Sequence, residues 1–158
     1  MGSTYIIYTD GSFSDGLVGS AGIIKDMDRK VEEFLFFVNS EKLSAHRNVS
    51  GEILAVMYGI YFSSKQDLSD IEIFHDYEGL NKWISGEWKA KTELTKFYVK
   101  FVEEYISKGM KIAFTKVRAH QGDVLNNYVD KLAKQAITKK IIKGTYVKEF
   151  LEYIETLL

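Results

Sequence analysis

Four carboxylates in this chain stand where an acid is costly unless a cation or a donor meets it. Asp10 closes the β-rich run Tyr5-Ile6-Ile7-Tyr8-Thr9, and a Gly11-Ser12 turn follows at once. Asp76 closes a second such run, Ile71-Glu72-Ile73-Phe74-His75. Glu52 falls in the first turn of an amphipathic helix, where the positive helix end tolerates an acid. Asp130 lies one to two turns inside a later helix. If the first and fourth strands are neighbours, Asp10 and Asp76 leave the sheet at the same edge, where α/β proteins place their sites. Four converging carboxylates cannot all ionise without a counter-cation. Hard oxygen donors suit Mg²⁺ or Mn²⁺. Two such ions roughly 3.5–4 Å apart support in-line displacement at phosphorus. The plainer alternative is a set of strand-end Asx turns and solvated helix acids that never meet.

The elements that must position these acids follow from periodicity. Strands are expected over residues 5–10, 21–25 and 32–38, joined by short polar turns into an antiparallel meander. A polar loop over 39–48 leads into a helix over 49–64, whose buried stripe is Ile53, Val56, Met57, Ile60 and Tyr61. A fourth strand covers 71–75. Helical segments follow over 77–85 and 92–107, broken by Gly86 and stopped by Gly109. A fifth strand over 110–117 and a polar loop carrying His120 precede a helix that Asp123 can cap and that runs to about residue 140. An amphipathic helix over 146–157 ends the chain. The order βββαβααβα implies an α/β fold with a five-stranded mixed sheet flanked by helices, plus an extra C-terminal helix.

A chain of 158 residues implies one domain, placed at residues 1–143, with 144–158 as a helical extension packed on it or at an interface. There is no cysteine, which removes disulfides, thiol catalysis and thiolate metal sites. No signal peptide or membrane-length apolar run is visible, so a cytoplasmic, membrane-free monomer is expected. The net charge of −1 hides an uneven distribution. Residues 1–80 carry 6 basic and 13 acidic side chains, whereas residues 81–120 carry 9 and 4. That basic middle can meet a polyanion locally.

With these pieces in place, the chain resembles type 1 ribonuclease H over residues 4–140. The resemblance rests on Tyr8-Thr9-Asp10-Gly11-Ser12, on Asn48 with Glu52 and Ala55, and on Ile73-Phe74-His75-Asp76. It rests equally on Val117-Arg118-Ala119-His120-Gln121-Gly122-Asp123, and on Asn126 with Asp130-Lys131-Leu132-Ala133. It implies an endonuclease that cuts the RNA strand of RNA–DNA hybrids with two Mg²⁺ ions, Mn²⁺ being able to substitute, and leaves 5′-phosphate and 3′-hydroxyl ends. In that scheme Asp10 bridges both metals, Asp130 binds the ion that activates water, and Glu52 and Asp76 bind the ion at the leaving oxygen. His120 assists proton transfer and product release.

The same resemblance places Asn48 against RNA in the minor groove, where the 2′-hydroxyl distinguishes RNA from DNA. Gly11 and Ser12 are expected to contact the nucleic acid beside Asp10, and Gly51 to let the RNA backbone approach closely, the alternative for Gly51 being a plain helix-start glycine. Asn126 shares a helix face with Asp130. Trp88 and Lys89 are expected on the DNA strand, with Trp83 as a core anchor. Val49 replaces the Gln often found in the family, and the shorter spacing from Asp76 to Trp83 implies a reduced basic protrusion. The competing reading is a non-catalytic hybrid- or dsRNA-binding module on the same fold. Four filled acidic positions argue against it, because a binder has no use for clustered negative charge facing phosphates.

Overall fold

The structure is a computed structural model that describes residues 4–117 and 124–158. Five strands form one sheet in the order β3-β2-β1-β4-β5. They are β1 (Tyr5–Ser14), β2 (Leu17–Asp26), β3 (Arg29–Asn39), β4 (Asp70–His75) and β5 (Lys111–Lys116). The first three pair antiparallel, while β4 runs parallel to β1 and to β5. The expected mixed sheet is therefore present. The helices are α1 (Glu41–Ser44), α2 (Arg47–Lys65), α3 (Gly79–Ser85), α4 (Glu93–Ser107), α5 (Val124–Thr138) and α6 (Val147–Tyr153), followed by a 3₁₀ turn at Glu155–Leu157.

Several expected boundaries move, each for a physical reason. Asp10 does not end its strand: β1 continues to Ser14, paired with β2 as far as Ser14↔Leu17. The Gly/Ser content of 11–19 reads as a turn, but cross-strand pairing overrides that preference and confines the turn to Asp15-Gly16. The polar 39–48 stretch contains α1, whose N-cap Ser40 accepts from the Leu43 amide. Helix α2 starts at Arg47, so Glu52 lies beyond its first turn, and the end-charge argument does not account for it.

Side-chain alternation divides the apolar residues between two faces. Phe34 and Phe36 join Ile7, Ile24, Tyr58, Tyr98 and Phe150 in the large core under α2, α4 and α6. On the other face Leu35 packs with Ala21 against Leu132, Ala133 and Ala136 of α5. The C-terminal segment contributes Val147, Phe150, Ile154 and Leu157 to the large core. Its approach is fixed by Glu32, which is buried and accepts from the Tyr58 hydroxyl at 2.7 Å, the Thr145 amide at 2.7 Å and the Thr145 hydroxyl at 2.9 Å. A Gln at position 32 has one oxygen for these three donors. Glu32→Gln is therefore expected to cost about 1–3 kcal/mol of stability, read as a lowered midpoint in urea with an unchanged slope.

Candidate active site

The site opens where the sheet splits. The last β1–β4 pair is Tyr8↔Phe74, and their rings stack at 4.8 Å. Beyond it β1 follows β2 alone, and a crevice forms at the carboxyl ends of the parallel strands. Alternation along β1 then aims successive residues at different elements. Thr9 turns towards α2, with its hydroxyl 3.5 Å from the Glu52 carboxylate. Asp10 turns towards α5 and lies within hydrogen-bond reach of Asp130.

Glu52 and Asp76 are joined by the backbone. The Asp76 and Tyr77 amides donate to the two Glu52 oxygens at 3.0 and 3.2 Å. The chain leaving β4 is thus tied to the helix carrying Glu52. The Glu52 carboxyl is buried and pushed up to about 8, by desolvation first and then by the charge of Asp10, against the lowering effect of those two amides. Asp10 is pushed up to about 7, mainly by burial, with Asp130 and Asp76 adding repulsion; the Gly11 amide, donating at 2.8 Å, opposes the shift. The four acids singled out by context therefore act on one another in space.

Glycines set this closeness. A Cβ on Gly51 would fall on the Gly19 carbonyl oxygen and within 2.9 Å of the Gly11 Cα. A Cβ on Gly11 would fall on the backbone of Asn48 and Glu52. The start of α2 thus lies directly on β1 and β2, and this contact seats Glu52 beside Asp10. Gly51, expected to make room for RNA, is buried and makes room for the sheet; its carbonyl accepts from the Ser20 hydroxyl at 2.7 Å.

Two hollows flank the acids. One, of about 380 Å³, is lined by Asp10, Glu52, Asp76, Asn48, Tyr77, Glu78 and Lys116. The other, of about 330 Å³, is lined by Asp130, Gly11, Ser12, Asn48, Phe13, Arg47 and Lys134. Asn48 is exposed and borders both. Arg47, Lys116 and Lys134 were not anticipated. The available signals were the adjacency of Arg47 to Asn48 and the i,i+4 spacing of Lys134 from Asp130, whose side chains pair at 3.1 Å.

Other expected contacts stand apart from the acids or are covered. Asn126 is buried. Trp88, expected to be exposed, is half-buried against Tyr77 and Trp83 with ring centroids 6.0 Å apart in both cases, and Lys82 lies 5.6 Å from its ring. Trp83 packs on the core through Tyr98, and Lys89 is exposed. His75 is buried, with Nδ1 2.9 Å from the Tyr77 carbonyl oxygen. His120 and the capping residue Asp123 lie outside the described residues.

The donor set is suited to a hard divalent ion. All donors are carboxylate oxygens, and two are buried acids whose ionisation calls for a nearby positive charge. Among the described residues no three acids form a ready-made metal cage. Mg²⁺ seldom needs one: it keeps several waters and is usually held by one or two carboxylates together with substrate phosphates. Asp10 lies between Asp130 on one side and Glu52 and Asp76 on the other, so carboxylates are available on both sides of it.

The RNase H family model matches residues 2–138 of the sequence. No curated protein matches it significantly. Among solved structures, RNase H1 from the archaeon Halobacterium salinarum NRC-1 aligns with a TM-score of 0.71 at 18% identity, covering 86% of this chain and 98% of the other. The N-terminal RNase H domain of rv2228c from Mycobacterium tuberculosis aligns at 0.72 and 18% identity, covering 87% and 95%. LC11-RNase H1, solved in complex with an RNA/DNA hybrid, aligns at 0.67 and 17% identity, covering 84% and 99%.

Proposed function

The chain belongs to the RNase H family, and from that premise we propose that it is an endonuclease cutting the RNA strand of RNA–DNA hybrids, with two Mg²⁺ ions, to 5′-phosphate and 3′-hydroxyl ends. The observation that carries this reading is the mutual approach of Asp10, Glu52, Asp76 and Asp130 where β1 and β4 diverge. Asp10 with Asp130 would hold one ion, and Asp10 with Glu52 and Asp76 the other. When bound, such ions lower the pKa of a coordinated water and neutralise charge on the leaving oxygen.

The protein's own residues have separate tasks. Buried Glu52 is fixed in orientation by the Asp76 and Tyr77 amides, so the acid pair is arranged before substrate arrives. Asn48, exposed between the two hollows, presents amide donor and acceptor groups suited to a ribose 2′-hydroxyl. Ser12 and Arg47, on the Asp130 side, are suited to neighbouring phosphate oxygens. His120 is assigned proton transfer and product release from the match of its sequence motif to the RNase H family. The half-buried Trp88 and the exposed Lys89 beside it are proposed to meet the DNA strand. The enzyme is proposed to act as a monomer.

Labelled RNA–DNA hybrid, dsRNA and dsDNA, each incubated with and without Mg²⁺, test this reading. Cleavage is expected for the hybrid alone, and replacing the RNA nucleotides at the cut site by deoxynucleotides should stop it. Equal cutting of dsDNA would remove the proposed 2′-hydroxyl recognition. Binding of hybrid without cleavage at any Mg²⁺ concentration would leave the non-catalytic module.

A further inference from the structure

Helix α5 brings Asp130 to Asp10, and its sheet-facing side is buried through Val129, Leu132, Ala133, Ala136 and Ile137. Leu132, Ala133 and Ala136 meet Ala21 and Leu35, whereas the opposite face of the sheet is packed with Phe, Tyr, Ile and Leu. The two alanines bury little area, so polar contacts on the flanks add to what fixes the rotation of the helix. A polar tie lies on the far flank. The Tyr128 hydroxyl donates to Glu33 Oε1 at 2.7 Å, and Lys143 Nζ lies 2.8 Å from Glu33 Oε2. Lys30 also reaches Oε1, at 3.3 Å.

Tyr128 and Asp130 are two residues apart, so they project from nearly opposite flanks of α5. A roll that freed Tyr128 from Glu33 would swing Asp130 against Asp10. Lys143 is itself fixed, because its backbone exchanges hydrogen bonds with Leu35 at 3.0 and 2.8 Å. Two residues further on, Thr145 is held by Glu32. Although burial pushes the Glu33 carboxyl up, hydrogen bonds from Lys143, Tyr128 and Lys30 bring it down to about 2, so the tie persists at neutral pH.

Taking Asp130 as a metal ligand, as in the function proposed above, we propose that Tyr128, Glu33 and Lys143 form a positioning relay through which the segment after α5 holds Asp130 at the metal site. None of the three touches the reacting atoms. Groups that orient a ligand from behind typically change metal affinity or activity 10–100-fold when removed.

The test uses the full chain carrying Tyr128→Phe, which deletes only the hydroxyl. Melting curves without substrate, from chelator through rising Mg²⁺, give the Mg²⁺ concentration at half the thermal shift. That midpoint is expected to rise about tenfold. The Mg²⁺ midpoint for hybrid cleavage should rise equally, while turnover at saturating Mg²⁺ stays near wild type. Lys143→Met should act in the same direction. Lys30→Met removes a donor from the same carboxylate but touches neither α5 nor the C-terminal segment, and should leave both midpoints unmoved. A Tyr128→Phe protein that melts lower with unchanged midpoints would show a purely structural tie and overturn the relay, as would a wild type whose melting ignores Mg²⁺. If the wild type binds Mg²⁺ and Tyr128→Phe shifts that midpoint, but no hybrid is cut, the relay stands and the proposed activity falls.

Discussion

Asp10→Asn is expected to abolish hybrid cleavage and, in metal-free buffer, to raise the melting temperature. The two effects share one cause. Asp10 faces Asp130 on one side and carries repulsion from Asp76 and towards Glu52 on the other, so it is the acid that both proposed ions would share. An amide is neutral and binds hard cations weakly. The loss should exceed the about 10²–10³-fold that removal of a single transition-state donor costs. Asn still offers an oxygen to the Gly11 amide, so the local backbone is kept.

The direction in stability follows from proton linkage. Asp10 rises from 3.8 to about 7 on folding, and Glu52 from 4.5 to about 8. A raised carboxylate means that the folded state binds the proton more tightly than the unfolded chain. Its stabilising effect is complete below about pH 4 and is lost as pH rises through about 7–8. At neutral pH without metal the acids therefore oppose folding, and Asp10→Asn relieves part of that opposition. A gain of about 1 kcal/mol corresponds to roughly 2–4 °C for a chain of this size. Added Mg²⁺ should raise the wild-type melting temperature by binding the folded state, and should raise that of Asp10→Asn much less. A folded variant with wild-type turnover would end the two-metal reading. A variant that melts lower than wild type in chelator would show that these acids do not repel as described.

Gly51→Ala is expected to cost a large share of the stability, because the added methyl meets only backbone. The added carbon meets the Gly19 carbonyl and the Gly11 Cα, both backbone atoms of the central strands, which have no rotamer to escape into. Overpacking commonly costs about 1–3 kcal/mol, and a backbone clash in a buried helix–sheet contact should reach or pass the upper end. Relief requires α2 to lift from β1 and β2, which moves Glu52 from Asp10 and loosens its bonds to the Asp76 and Tyr77 amides. Denaturant melts should show the loss directly. Crosspeaks of the Asp76 and Tyr77 amides in an ¹⁵N–¹H spectrum should shift at temperatures where the protein remains folded. A Gly51→Ala protein with wild-type stability and unmoved amides would show that α2 is seated by something other than this backbone contact.

Residue order by itself determined the five strands, the principal helices and the four acids, because each is written in local pattern. Ile71-Glu72-Ile73-Phe74-His75 alternates as a strand must, and Ile53, Val56, Met57 and Ile60 recur as a helix must. The motifs around Asp10, Glu52, Asp76 and Asp130 carried the family resemblance without any knowledge of contacts. Only the tertiary structure decided where those patterns yield to pairing. Gly11 to Ser14 has the composition of a turn but is strand, since β2 supplies partners that a local reading cannot see. Gly51 looked like space for a ligand, yet close approach of helix to sheet fills that space. The placement of α5 was equally illegible, because Tyr128, Glu33 and Lys143 are separated by up to 110 residues and their meeting is a property of the assembled sheet. Periodicity records how a segment meets a generic apolar surface. It does not record which segment provides that surface, and Asp10 meets Asp130 only through the folded sheet that carries them both.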